Sequence, residues 1–129
     1  MHDPHGYSTV EYDKQIIRAQ FVGSFNLEGV QEYISKVKKI VKQHHQEKLM
    51  LLVDIQKFDG ATPEAYTEMD AYNAWCNAQQ CIVAKALVTK QRPVQAITRN
   101  YAPSYKEKQV QFFETIDETK LWLESFIHP

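Results

Sequence analysis

Several polar side chains able to bind a ligand follow predicted strands or begin predicted helices. In an open α/β sheet, ligands usually bind beyond the carboxyl ends of the parallel strands. Helices are predicted to begin at Thr62 and near Pro93 on that edge, where their N-termini suit a carboxylate or a phosphate group. In the alternative, the aspartates of this edge satisfy loop amides and pair with its basic residues. The candidate ligand-binding residues are Asp54, Asp59, Thr62, Thr89, Lys90 and Arg92.

Two predicted helices carry more apolar surface than a minimal core needs. Three interpretations remain open: a homodimer interface, a pocket for a small apolar molecule or lipid, or simply core. In the pocket interpretation, Trp75, Tyr101 and Tyr105 line the cavity while Lys90 and Arg92 lie near its mouth. The amphipathic helices also allow peripheral membrane contact, although their basic residues are not concentrated on one face. The residues of these two faces are Ala71, Trp75 and Ala78 on one helix and Ile97, Tyr101 and Tyr105 on the other.

Residues suited to covalent or metal chemistry are poorly placed for it. Cys76 falls on a core-facing helical stripe and Cys81 opens a buried strand, so neither is expected to act as a nucleophile. His44 and His45 are adjacent on a helix, where side chains diverge by about 100° and do not readily share a metal. We expect no cofactor, no metal and no enzymatic activity. An enzymatic alternative uses Asp54 or Asp59 as a general base beside Lys90, and needs a carboxyl pKa raised by burial.

Composition limits the remaining classes of function. The chain has 129 residues, of which 43% are hydrophobic and 24% charged, as expected for one globular domain. A formal charge of -1 argues against a broad nucleic-acid-binding surface. The longest apolar run, Leu49 to Val53, is far shorter than the roughly 20 residues that span a bilayer. We therefore expect a cytoplasmic protein without a transmembrane segment, with a protein partner or a second copy of itself.

Hydrophobic periodicity predicts a flexible tail over residues 1–6 and a single α/β domain over residues 7–129. β-branched and aromatic runs indicate a hairpin from Tyr7 to Phe25. Asn26 is the predicted N-cap of the first helix, which runs to about His45, and Thr62 is that of the second, with Pro63 at its first position. A capping box at Thr115 begins the last helix. The other predicted elements are strands over Leu49–Ile55, Ile82–Val88 and Val110–Glu114 and a helix from Pro93.

The order of these elements predicts a mixed five-stranded sheet flanked by helices. The sequence resembles the SpoIIAA-like, or STAS-like, family of small bacterial proteins over nearly its whole length. The residues that carry the resemblance are Leu51–Ile55, Phe58, Gly60, Thr62–Ala65, Ala84–Val88, Val110–Phe113 and Thr119–Leu123. The resemblance implies no catalytic activity. Relatives of this fold are either anti-sigma-factor antagonists, switched by serine phosphorylation, or CRAL-TRIO domains, which enclose lipids.

The sequence departs from the antagonists where they carry an Asp-Ser-Ser-Gly motif, before the helix that follows the central strand. Here the chain reads Phe58-Asp59-Gly60-Ala61-Thr62-Pro63, which contains no serine. Capping explains the Thr62 hydroxyl better than phosphorylation does. We therefore expect a STAS-like regulatory or protein-interaction module without the usual phosphoserine, and keep a carrier or sensor of a small apolar ligand as the alternative.

Overall fold

The computed structural model describes residues 3–90 and 110–127. It contains five strands and three helices over these ranges. The predicted helix from Pro93, together with Arg92, Ile97, Tyr101 and Tyr105, lies outside the described residues. The strands are β1 (Tyr7–Asp13), β2 (Ile16–Phe25), β3 (Leu49–Ala61), β4 (Ile82–Val88) and β5 (Val110–Phe113), and the helices are α1 (Leu27–Gln43), α2 (Pro63–Ala78) and α3 (Ile116–Ile127).

The five strands form one mixed sheet in the order β1-β2-β3-β4-β5. β1 and β2 pair antiparallel, and the other neighbours pair parallel. Lys14 and Gln15 both have positive φ angles, which allow the tight two-residue turn between β1 and β2. The predicted hairpin and the parallel central strand β3 are confirmed.

Strand β3 is longer than the sequence predicts. The prediction ends at Ile55, whereas the strand continues to Ala61 because β2 remains beside it. Phe58 pairs in register with Gly23 and is buried in the core, which ties this extension to the sheet. The pairing of β2 with β3 has two register shifts, one just before Val22 and one just after Gly23. The segment before α2 is therefore mostly strand rather than loop.

Helices cover both faces of the sheet. Helices α1 and α2 pack on one face, where β3 contributes Leu51, Val53 and Ile55 to the larger core. Helix α3 packs on the other face, where Leu123 meets Met50 and neighbouring β4 residues. Alternate residues of β3 thus enter opposite cores, as the two-residue period of a strand requires.

Both predicted N-caps of the first two helices are present. The Asn26 side chain accepts a hydrogen bond from Gly29 N at 2.9 Å, and Thr62 Oγ1 accepts one from Ala65 N at 3.2 Å. Asn26 also contacts the segment before β1, because its side chain accepts from His5 N and donates to Asp3 O. Thr62 N donates to Phe25 O, which fixes the start of α2 against the end of β2. The flexibility of residues 1–6 stays a prediction.

Candidate functional site

A pocket lies between helix α2 and the face of the sheet that α1 and α2 cover. It is partly open to solvent and has a cavity volume of about 30 Å³. One water needs about 10–15 Å³ of such space, so the cavity itself accommodates a group of two or three heavy atoms, and the rest of a longer ligand would lie toward its open side. Its walls are mainly apolar and aromatic: Phe21, Tyr33, Phe58, Tyr66 and Tyr72, together with Val53, Ile55, Met69 and Leu87.

Two polar side chains, Lys85 and Asn73, also line this pocket. Lys85 lies in the middle of β4 on the α2 side of the sheet, and its side chain is only 7% exposed. Its Nζ donates to Oδ1 of Asn73 on α2 at 2.5 Å and lies 5.2 Å from the centroid of the Tyr72 ring. An ammonium group at this depth is stabilised by the amide oxygen and the aromatic face.

Within residues 3–90 and 110–127, the side-chain nitrogen of Asn73 has no hydrogen-bond partner. Asn73 is 3% exposed, and its Oδ1 is taken by Lys85 while Nδ2 remains unsatisfied. A buried donor without an acceptor costs about 1–3 kcal/mol. The pocket therefore presents an unused donor beside an ammonium group.

A pair of tyrosines lies on the same wall. The hydroxyls of Tyr33 on α1 and Tyr72 on α2 are 3.2 Å apart, and their rings meet edge to face. Burial raises the pKa of the Tyr72 hydroxyl well above its ordinary value, and Tyr33 and Cys76 raise it further. Tyr72 is therefore neutral at physiological pH and links the two helices at the pocket.

Known structures resemble this arrangement in fold. No protein-family model matches the sequence, and no curated protein matches it. Among solved structures, an uncharacterized protein of the DUF3478 family from Shewanella loihica PV-4, described as having a SpoIIAA-like fold, is 13% identical with a TM-score of 0.69. That comparison covers 95% of this chain and 97% of the other. The unphosphorylated anti-sigma factor antagonist SpoIIAA is 9% identical with a TM-score of 0.60, over 92% of this chain and 98% of that one.

The protein has a SpoIIAA-like fold. The mixed five-stranded sheet with helices on both faces agrees with both neighbours. The STAS-like resemblance inferred from the sequence is confirmed at the level of fold.

The SpoIIAA-like fold spreads the predicted edge residues over a considerable distance. Asp54 lies within β3, at the level of Val88, and is buried beside Gln20 and Gln56, whose side-chain amides donate to it. Asp59 lies five positions further along the strand, about 16 Å away at 3.3 Å per residue, and is exposed. The two aspartates do not converge on one small ligand.

The remaining described residues of that edge have different surroundings. Thr62 is exposed and caps α2. Thr89 is fully buried, and its backbone N donates to Phe113 O, while Lys90 is exposed. Ligand binding at this edge stays a prediction.

The predicted apolar face of α2 is only partly apolar at its surface. Ala71 and Ala78 are exposed, and Trp75 is half-buried. The Trp75 ring stacks on Tyr72 with centroids 6.3 Å apart, and Lys38 Nζ lies 4.9 Å from the Trp75 ring centroid. Trp75 therefore sits behind the pocket wall at the junction of α1 and α2, and its roles as a pocket residue or a dimer contact stay predictions.

Other candidate chemical groups occupy structural positions. Cys76 is buried and Cys81 half-buried, and neither of these two described cysteines forms a disulfide. His44 Nδ1 contacts a Glu47 carboxylate oxygen at 2.5 Å, and its ring stacks on that of Tyr12. Among residues 3–90 and 110–127, no group of three or more His, Cys, Asp and Glu side chains is arranged to hold a metal ion. Within the same ranges, no helix is both long and apolar enough to span a membrane.

Sequence reasoning missed Lys85 and Asn73. The signal for Lys85 is a charged residue in the middle of the otherwise apolar run Ile82–Val88, which is unusual for a covered strand. Asn73 falls four positions after Met69 and three before Cys76, on the same buried helical stripe. In this protein, two buried polar side chains that face each other, Lys85 and Asn73, mark the candidate site. The exposed polar residues at the strand ends do not.

Proposed function

We propose that this protein is a non-enzymatic, STAS-like regulatory module that binds a small apolar molecule in the pocket under α2. The observation that carries the proposal is the buried Asn73 side chain, which lines a cavity with mainly apolar walls and whose Nδ2 has no hydrogen-bond partner among the described residues. Buried polar groups in native proteins are nearly always hydrogen-bonded, so an exception at a cavity calls for a missing partner. A bound molecule with one acceptor group supplies that partner.

The position of the pocket supports a regulatory role. Tyr66, Met69, Tyr72 and Asn73 belong to α2, and the other described residues of the pocket belong to the sheet and to α1. A ligand that contacts α2 as well as the sheet and α1 stabilises one position of α2 relative to the others. The size of this effect equals the difference in the ligand's binding free energy between those positions. The outer side of α2 would then report occupancy to a partner protein. The SpoIIAA-like fold supports this role because SpoIIAA, one of its neighbours, is an anti-sigma factor antagonist.

The non-enzymatic part of the proposal rests on the types of group present. The pocket's described polar groups are an ammonium, an amide and phenol hydroxyls, set among apolar side chains. These groups hold and orient a molecule, and Lys85 and Tyr72 are engaged with neighbouring side chains. Two cysteines that do not form a disulfide, Cys76 and Cys81, suit the reducing cytoplasm that we propose as its location.

Two measurements test occupancy of the pocket: native mass spectrometry of the purified protein, and fluorescence titration with a neutral apolar dye, N-phenyl-1-naphthylamine. We expect gently purified protein to carry extra mass that organic solvent releases, and solvent-extracted protein to enhance the dye's fluorescence. Met69→Trp places an indole in the pocket and should reduce dye binding at least tenfold. Ala74→Trp places the same ring at an exposed position of α2 outside the pocket and should leave dye binding unchanged. A wild-type protein with neither retained mass nor dye binding would contradict the proposal.

A second function, contact with another protein through the outer side of α2, is favoured by Trp75. This half-buried indole lies between two exposed alanines one helical turn away on either side, Ala71 and Ala78. A homodimer built on that surface buries the indole edge. Sedimentation equilibrium of wild type and Trp75→Ala tests it: a dimer that the substitution converts to monomer supports an interface there, and a monomeric wild type contradicts it.

A further inference from the structure

The hydrogen-bonding groups of the pocket select the chemistry of its ligand. Asn73 Nδ2 offers two N–H donors without an acceptor in the described part of the chain, and Lys85 Nζ lies within hydrogen-bonding distance of the other end of the same amide. Both side chains are more than nine-tenths buried and line the same cavity. A ligand atom that completes this arrangement is an acceptor, because a second donor would leave Nδ2 unsatisfied.

Electrostatics favours an anionic acceptor over a neutral one. Lys85 places a positive charge in a pocket whose other described walls, apart from Asn73, are apolar or aromatic, where charges interact more strongly than in water. The tyrosine hydroxyls on the same wall are paired with each other, and Tyr72 remains protonated. No described acidic side chain lines the cavity to repel an incoming anion.

We infer that the pocket binds a small monocarboxylic acid with an apolar body, whose carboxylate accepts hydrogen bonds from Asn73 Nδ2 and Lys85 Nζ. The cavity of about 30 Å³ matches a carboxylate group better than a phosphate with its additional oxygens. The apolar body follows the wall formed by Phe58, Met69 and Leu87 toward the open side. This inference rests on the proposed function and adds the ligand's class to it.

Isothermal titration calorimetry with octanoate, octan-1-ol and octylamine tests the inference on solvent-extracted protein. The three probes share one apolar chain and differ only in the head group. We expect octanoate to bind about 10- to 100-fold more tightly than octan-1-ol, as hydrogen bonds to a charged group contribute in a buried site. Octylamine should bind more weakly than octan-1-ol, because its ammonium faces Lys85.

Variants identify the groups responsible. Lys85→Met keeps an unbranched chain without the charge, and should bring the octanoate and octan-1-ol affinities within threefold of each other. Lys38→Met removes an exposed lysine beside Trp75 and should leave the wild-type preference unchanged. Asn73→Ala provides an independent variant should Lys85→Met not fold, and should weaken octanoate binding by at least fivefold.

The outcomes separate this inference from the proposed function. Equal affinities of octanoate and octan-1-ol for the wild type would overturn the carboxylate assignment and leave an apolar pocket. If Lys38→Met abolished the preference for octanoate and Lys85→Met preserved it, the carboxylate would bind at the surface of α1. That result would overturn the assignment to the pocket. Failure of all three probes, in a protein that also does not bind the neutral dye, would overturn both proposals.

Discussion

The buried pair of Lys85 and Asn73 can be measured by a double-mutant cycle. Lys85→Met and Asn73→Leu each remove one partner and leave the other without its 2.5 Å hydrogen bond. The double variant removes both polar groups and packs two apolar side chains of similar size. Removing both partners of a buried pair is less costly than removing one, because no group is left unsatisfied.

The expected coupling follows from the charge on Lys85. A hydrogen bond to a charged group contributes about 1.5–3 kcal/mol to stability, and the cycle isolates this contribution from the packing changes of the single variants. We therefore expect the double variant to be about 1.5–3 kcal/mol more stable than the sum of the two single effects predicts. Urea unfolding followed by circular dichroism, with unchanged m-values, gives the four free energies of unfolding.

A matched surface cycle sets the baseline for this measurement. Lys36 and Glu32 form an i,i+4 ion pair on α1 at 3.6 Å, with half of the Glu32 side chain exposed. Lys36→Met and Glu32→Gln should couple by no more than about 0.5 kcal/mol. Coupling below about 0.5 kcal/mol at Lys85 and Asn73 as well would refute the buried pair and the reasoning built on it.

Three further predictions concern parts of the fold outside the pocket. Asn26→Ala removes the α1 cap and two contacts to the segment before β1, and should lower the free energy of unfolding by about 1–2 kcal/mol in urea; a loss below about 0.3 kcal/mol would contradict the capping role. Hydrogen bonds from Tyr12 and then His44 lower the pKa of Glu47 below its ordinary value of 4.5, so its stabilising effect is present above pH 4.5 and is lost as the pH falls through the lowered value. The melting temperature of Glu47→Gln should therefore lie below that of wild type at pH 6 and approach it at pH 3, and a constant difference would contradict this linkage. Leu123→Ala opens a cavity in the core under α3 and should cost about 2–5 kcal/mol by urea unfolding, whereas Leu121→Ala, at a position 71% exposed, should cost less than about 0.5 kcal/mol; equal losses would contradict the placement of α3.

The fold could be predicted from the sequence because local signals and hydrophobic pattern agree. Asn26 and Thr62 cap the helices that they were expected to begin, and the apolar run starting at Leu49 is the central parallel strand. The extension of β3 to Ala61 was missed because Asp59 and Gly60 are typical turn residues. Pairing with the long strand β2 overrides that preference, and this pairing is not visible in the local sequence.

The candidate site was less predictable, since it depends on which side chains meet across the core. Asp54 and Asp59 were predicted to bind a ligand because both were expected near the end of a strand. The extended β3 keeps them apart. Lys85 and Asn73 are twelve residues apart in the chain and meet only because β4 and α2 pack on each other. Neither residue belongs to a motif, so only the three-dimensional structure shows, beside an ammonium group, an amide that lacks a partner among the described residues.

The most direct test of the proposed pocket is the side-chain NH₂ resonance of Asn73 in a ¹⁵N-labelled protein, assigned by its loss in Asn73→Ala. On titration with octanoate, we predict a saturable shift of this resonance with the dissociation constant found by calorimetry. Backbone amides of Met69 and Tyr72 should shift with it. An Asn73 side-chain resonance that stays in place at saturating octanoate would contradict the claim that the ligand supplies the missing acceptor.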